Sequence, residues 1–359
     1  MQLPLIKDLE LMEKLIKGAG IFGSLREEDI QVGVTPKAAI YQEDKVTLYR
    51  FAPQIEDAPN IPVLIVYALV NRPYIVDLQH ERSLVANLLK LGLDVYLIDW
   101  GNPSRADRWL TLDDYINGYL NNCVDFLCDR LNANQINLLG ICQGGTFSLC
   151  YSALYPQKVK TLIAMVTPVD FHVREGLLNL WAGCTLNTPA FDVDLMVDTL
   201  GNIPGEFLNL EFLMLKPFQL GVEKYIKLAE IADNEDKLLN FLRMEKWIFD
   251  SPDHPGEIYR QFIKDFYQDN KLIQGLIDIG GRRVNLQDIR IPVLNIYAQQ
   301  DHLVLPQSSM ALKQYIGSED YTERSFPTGH IGMYVSSKVQ RDLPPAIANW
   351  LKARVIAKG

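Results

Sequence analysis

The residues best equipped for chemistry in this chain are a cysteine, an aspartate and a histidine, far apart in sequence and each in a distinctive local setting. Gly140-Ile141-Cys142-Gln143-Gly144-Gly145 places a thiol between glycines at the end of the apolar run Ile136-Asn137-Leu138-Leu139, and a helical pattern ended by Pro156 follows. A nucleophile held at a sharp strand-to-helix turn needs neighbours without side chains, because strand and helix must approach closely there. With 23 Gly and 5 Cys in 359 residues, Gly-x-Cys-x-Gly is expected by chance about 0.02 times in the chain. Such an elbow calls for partners in fixed order, an acid at the end of a later strand and then a histidine after the last strand. Pro292 to Ala298 reads as a strand running into Gln299-Gln300-Asp301, and Phe326-Pro327-Thr328-Gly329-His330-Ile331-Gly332 sets a histidine on a glycine-flanked loop. His302 competes as the base, but adjacent residues on an extended segment point apart, so one that bonds Asp301 could hardly also reach Cys142. The expected chemistry is nucleophilic catalysis: His330 takes the thiol proton, and the positive end of the elbow helix favours the thiolate. The backbone N–H of Gln143 supplies one oxyanion donor, and the loop Leu69-Val70-Asn71-Arg72 supplies a second, assigned to Val70. Arg72 reads equally as an anion clamp for substrate or as half of a structural ion pair, and His302 remains a substrate-binding candidate.

Elements able to position these residues are visible around them. Val63–Val70, Leu93–Trp100, Ile136–Gly140, Thr161–Val166, Pro292–Ala298 and Thr322–Phe326 are strand candidates, alternating with helical patterns at Glu81–Leu91 and Thr111–Arg130. That alternation buries a parallel sheet between helix layers. Gly92 suits the position after a helix end, Thr111 with Asp114 approximates a capping box, and Cys123 falls on the buried stripe of its helix. Cys150, two turns along the elbow helix, also reads as core. Between about Phe171 and Ile289 the alternation gives way to helical segments rich in Leu, Phe and Trp. The expectation is an α/β-hydrolase fold with a mostly parallel sheet flanked by helices and a large helical cap inserted before the acid-bearing strand. The division is an N-terminal segment at 1–60, a core at 61–170 and 290–359, and a cap at 171–289.

Other chemistries fit poorly. Gly18-Ala19-Gly20-Ile21-Phe22-Gly23 matches the dinucleotide fingerprint, but it follows a charged helical pattern rather than a buried strand, so a helix terminus before a Ser24/Glu27 capping box is expected. Gly140 to Thr146 echoes a phosphate loop without its lysine. No two of His80, His172, His254, His302 and His330 have helical ligand spacing and no Cys pair accompanies them, so no metal is expected. Thirty-five basic against 44 acidic residues give a net charge of −9, unsuited to nucleic acid. The longest apolar run, Val63–Val70, falls far short of the roughly 20 residues of a membrane-spanning helix. Cys123, Cys128, Cys142, Cys150 and Cys184 contain no CxxC pair, and Asp8, Glu10 and Glu13 interrupt the N-terminal apolar pattern, so a cytoplasmic setting with free thiols is expected.

A cysteine in place of serine bears on the substrate. A thiolate attacking a thioester makes another thioester at little change in free energy, and a large apolar cap excludes water. Acyl transfer from a thioester donor is favoured over hydrolysis.

The residues also match a known family. The Gly140–Gly145 box, followed by Val166-Thr167-Pro168-Val169-Asp170-Phe171, resembles the lipase-like box of polyhydroxyalkanoate synthases. The likeness continues through Val66-Tyr67-Ala68-Leu69-Val70-Asn71-Arg72-Pro73-Tyr74, Leu97-Ile98-Asp99-Trp100-Gly101, Leu112-Asp113-Asp114-Tyr115, Gly201-Asn202-Ile203-Pro204-Gly205, Met244-Glu245-Lys246-Trp247-Ile248-Phe249-Asp250-Ser251-Pro252, Asp301-His302 and Gly329-His330-Ile331-Gly332. It covers the chain from about Thr35 onward, and length and the Ile141/Gln143 choice most resemble the catalytic subunit of the class III, two-subunit enzymes. The resemblance implies polymerisation of (R)-3-hydroxyacyl-CoA, chiefly 3-hydroxybutyryl-CoA, into polyester with release of CoA, which is substrate and product rather than cofactor. It implies a companion E subunit, a dimeric catalytic core and residence at the surface of cytoplasmic polyester granules. Carried over by position, Cys142 holds the acyl chain, His330 activates the thiol and Asp301 is the third catalytic residue. The alternatives are a thiol-dependent thioesterase on the same scaffold and a catalytically silent granule-associated scaffold protein. The amphipathic segment Leu5–Ile16 is a helix that packs on the core or contacts a partner or polymer.

Overall fold

The computed structural model describes Lys14, Lys17 and residues 19–55, 61–182, 191–215 and 223–355. Cys184 and, apart from Lys14, the segment Leu5–Ile16 lie outside the described residues. The framework is an eight-stranded sheet built from β1 (Lys37–Glu43), β2 (Val46–Phe51), β3 (Ile61–Val66), β4 (Leu93–Asp99), β5 (Ile136–Ile141), β6 (Val159–Met165), β7 (Val293–Ala298) and β8 (Tyr321–Phe326). In space they run β1-β2-β4-β3-β5-β6-β7-β8. β2 is antiparallel to β1 and to β4, and the pairs from β4 to β8 are parallel.

Burial explains which residues form which strand. The central strands are mostly apolar because helices cover both faces. Successive residues point to opposite sides: Leu64 and Val66 of β3 enter one core layer, and Val63 and Ile65 enter the other. The first layer packs under α2 (Asn121–Leu131) and α3 (Gln143–Leu154) through Cys123, Val124, Leu127 and Phe147. The second packs under α1 (Leu84–Lys90) and the long C-terminal helix Ser337–Val355 through Leu84, Leu88, Leu343 and Ile347. The six anticipated strands all form, with ends within a few residues of expectation. The edge strand β1 and its neighbour β2 lie inside the segment read as N-terminal, because their polar-interrupted sequences give only a weak period-two signal.

Helix boundaries differ for local reasons. α1 starts at Leu84 rather than Glu81, because the Ser83 hydroxyl accepts the Ala86 N–H and caps the first turn. Gly92 follows its end with φ 81°. The Thr111 N–H and hydroxyl both donate to the Asp114 carboxylate, and Asp114–Leu120 forms wide π turns before α2. The Ser24/Glu27 capping box does not form: the Ser24 hydroxyl donates to the Ile21 carbonyl, and the following short turn is capped by Arg26 and Asp29. Between β6 and β7 the chain is mainly helical. Phe262, Phe266, Ile277 and Val284 of that stretch join the sheet's first core layer, whereas Val193, Val197, Ile203, Leu208 and Tyr259 form a small cluster of their own. No described helix is long and apolar enough to cross a membrane.

Candidate active site

β5 ends directly in Cys142, which adopts φ 54° and ψ −125° and leads into α3. Positive φ is strained for a residue with a side chain and persists only where the surroundings enforce it. The Cys142 N–H donates to the Met165 carbonyl at 3.0 Å, and its carbonyl accepts from Gly145 at 2.9 Å. Gly144 is required by close approach, since a Cβ there would strike the backbone carbonyls of Val66 and Tyr67 at the end of β3. The elbow therefore presses against the loop that follows β3.

His330, on the loop after β8, and Asp301, just past β7, are both buried, at 5% and 4% exposure. The imidazole Nδ1 lies 2.7 Å from Asp301 Oδ2, and the His330 and Cys142 side chains line the same cavity. Burial by itself pushes this imidazole down, but the Asp301 carboxylate and Cys142 outweigh it and bring the group up to about 10. The other carboxylate oxygen of Asp301 accepts the N–H groups of Leu303 and Val304, which locks its orientation. The structure thus brings Cys142, His330 and Asp301 together. His302 lines the same cavity, but both Asp301 oxygens are engaged elsewhere.

The loop after β3 is held from several sides. Leu69 donates its N–H to Gln143 Oε1 at 3.0 Å, Trp100 donates to the Tyr67 carbonyl at 2.9 Å, and Trp247 donates to the Arg72 carbonyl at 2.8 Å. Val70 lines the cavity beside Cys142, and the Gln143 N–H stands at the first turn of α3, where it has no acceptor within the helix. Arg72 pairs with Asp250 at 3.1 Å and with Asn102 at 2.5 Å, and it does not line the cavity. The ion pair read for it is formed.

The cavity at Cys142 has a volume of 390 Å³ and is bordered mostly by apolar and aromatic side chains, with His330 and His302 at the reacting end. Trp181, Phe191, Phe212 and Ile263, from the stretch between β6 and β7, line it together with Trp247. Sequence reasoning missed these individually, because an aromatic at helical spacing carries the same signal whether it faces core or cavity. Cys150 and Cys123 are fully buried, and burial pushes both thiols up to about 12. Among the described residues no group of three or more His, Cys, Asp and Glu side chains converges in a metal-binding arrangement.

This sheet order, with a residue at a strained turn after β5, an acid after β7 and a histidine after β8, defines an enzyme of the α/β-hydrolase fold. The profile of the alpha/beta hydrolase fold family matches residues 61–337. Solved structures agree on the fold: a monoacylglycerol lipase from Paleococcus ferrophilus (16% identity, TM-score 0.52, 82% of this chain and 94% of that one), and a putative non-heme bromoperoxidase, BpoC, from Mycobacterium tuberculosis (13%, 0.51, 88% and 99%). The profile for the N-terminus of poly-beta-hydroxybutyrate polymerase (PhaC) matches residues 10–88. The poly(3-hydroxyalkanoate) polymerase subunit PhaC of Synechocystis sp. is 66% identical over 96% of this chain and 92% of its own length, and that of Allochromatium vinosum is 56% identical over 94% of each. The chain belongs to the PhaC family of poly(3-hydroxyalkanoate) polymerase subunits, of the class III kind.

Proposed function

We propose that the protein polymerises (R)-3-hydroxyacyl-CoA, chiefly 3-hydroxybutyryl-CoA, through an acyl thioester on Cys142, with His330 as base and Asp301 orienting it. What supports this reading is the bond of His330 to Asp301 in a largely apolar cavity that Cys142 also lines. The Cys142 proton passes to His330, and the sulfur attacks the thioester carbonyl carbon. The carbonyl electrons move onto oxygen, where the Gln143 and Val70 N–H groups receive them. Collapse breaks the carbon–sulfur bond to CoA, whose sulfur takes the proton from His330. The 3-hydroxyl of a second monomer then attacks the Cys142 thioester and gives its proton to His330. An ester bond forms, Cys142 leaves as thiolate, and the lengthened acyl-CoA can reacylate it.

The apolar walls keep water from the acyl group, so an alcohol competes with hydrolysis. No cofactor enters this sequence, because CoA arrives and leaves with the substrate. Large exposed apolar side chains gather between residues 177 and 249, among them Leu195, Leu210, Met214, Ile226 and Phe249. They suit contact with a companion E subunit, a second catalytic subunit or the surface of a cytoplasmic polyester granule. Incubation of the purified protein with 3-hydroxybutyryl-CoA, with and without that subunit, tests the reading. CoA with insoluble polymer is expected; CoA with free 3-hydroxybutyrate makes it a thioesterase, and absence of CoA a silent scaffold.

A further inference from the structure

Tyr67 lines the cavity at Cys142, and its side chain has no use in the steps above. Tyr67 is the first residue past β3, its own carbonyl is among those crowding Gly144, and its side chain lines the cavity with Cys142. Only 4% of the residue is exposed, yet among the described residues its hydroxyl makes no hydrogen bond. The neighbouring Tyr334, whose ring lies edge-on to Tyr67 at 6.4 Å and to His330 at 6.1 Å, has a hydroxyl sealed from solvent and without a partner among the described residues. The Tyr67 hydroxyl is not sealed in this way, so the open side it has is the cavity. A phenol whose hydroxyl opens onto the cavity at Cys142 and has no partner among the described residues is a candidate for a bond formed only during reaction.

The geometry points to Tyr67 as a catalytic hydrogen-bond donor to the carbonyl oxygen of the acyl group on Cys142, a side-chain member of the oxyanion site beside the two backbone N–H groups. This rests on the reading of Cys142 as the acylated residue. Burial and then the charge of Cys142 push the Tyr67 phenol well above its ordinary range, so it keeps its proton throughout the working pH and can only donate toward a developing negative oxygen. A donor that engages oxygen chiefly when charge develops lowers the barrier without tightening ground-state binding.

Tyr67→Phe removes the hydroxyl and little else. The expected result is a roughly hundredfold fall in kcat for CoA release from 3-hydroxybutyryl-CoA, with KM within threefold. A kcat within twofold of the wild type overturns the assignment. A second measurement needs no polymerisation: butanal adds to the Cys142 thiol, forming a carbon–sulfur bond and moving the thiol proton to the former carbonyl oxygen. In Tyr67→Phe, butanal affinity measured by calorimetry should fall at least tenfold, while the rate of Cys142 alkylation by iodoacetamide stays within twofold. Unchanged butanal affinity sinks the proposal even where polymer forms, and weakened affinity supports it even where polymer does not, so this inference and the polymerase reading fail separately.

Discussion

The Leu69 backbone N–H donates to the side-chain oxygen of Gln143 across 3.0 Å, joining the loop after β3 to the residue that follows Cys142. Gln143 is 6% exposed, so the bond is shielded from water. It anchors the backbone next to Val70, which lines the cavity together with Gln143. Gln143→Leu should leave that N–H buried and unpaired, lowering stability by about 1–3 kcal/mol and kcat by roughly tenfold or more. Gln143→Glu, which keeps an acceptor at the same reach, should retain the stability. Thermal unfolding and CoA-release kinetics check both; equal behaviour of the two variants would show that the acceptor is immaterial.

Cys142→Ala should abolish CoA release, whereas Cys150→Ala should retain at least about a tenth of the rate, since only the elbow thiol has an imidazole within reach. Comparable losses in the two variants would discredit the site.

His330 should impose a defined pH dependence on stability. Its folded-state value, about 10, lies above the ordinary 6.5, so the folded protein holds a proton that the unfolded chain releases. The stabilisation is complete below pH 6.5, declines as pH rises and is lost as pH passes about 10. Urea unfolding of wild type and His330→Gln at pH 6 and at pH 10 should show a stability difference that shrinks at the higher pH; a difference that grows would contradict the Asp301 pairing.

Arg72 and Asp250 are expected to act as a latch on the loop after β3 rather than as a phosphate clamp, since Arg72 pairs with Asp250 and does not line the cavity at Cys142. Arg72→Gln and Asp250→Asn should then lower kcat together, with KM for the acyl-CoA within about threefold, as a partly exposed pair contributes only about 1 kcal/mol or less to stability. A large rise in KM confined to Arg72→Gln would mark Arg72 as an anion site.

Gly144→Ala should be costly, because its Cβ meets the backbone carbonyls of Val66 and Tyr67, which cannot rotate aside. A loss of at least about 1–3 kcal/mol is expected in chemical denaturation. Full stability in that variant would mean that β3 and the elbow are not closely packed.

The strands and the elbow were legible because their determinants are local. An apolar run buried on both faces, such as Ile136–Ile141, declares a central strand by composition, and the glycines around Cys142 declare a turn without room for side chains. The half-exposed β1 and β2 carry no such mark, and the start of α1 depended on whether Ser83 or a residue before it would cap the helix.

From residue order alone came the thiol at a strand-to-helix turn, the acid and histidine that follow it, and the sheet that carries them, since each is written in neighbouring residues. Folding decided which histidine pairs with Asp301, that Arg72 pairs with Asp250, and that the Tyr67 and Gln143 side chains line the cavity at Cys142. Leu69 and Gln143 are 74 positions apart, and Arg72 and Asp250 are 178 apart. Contacts at such separations leave no periodic trace in the chain, because they are set by how the sheet brings its strand ends to one edge and by what is packed over them.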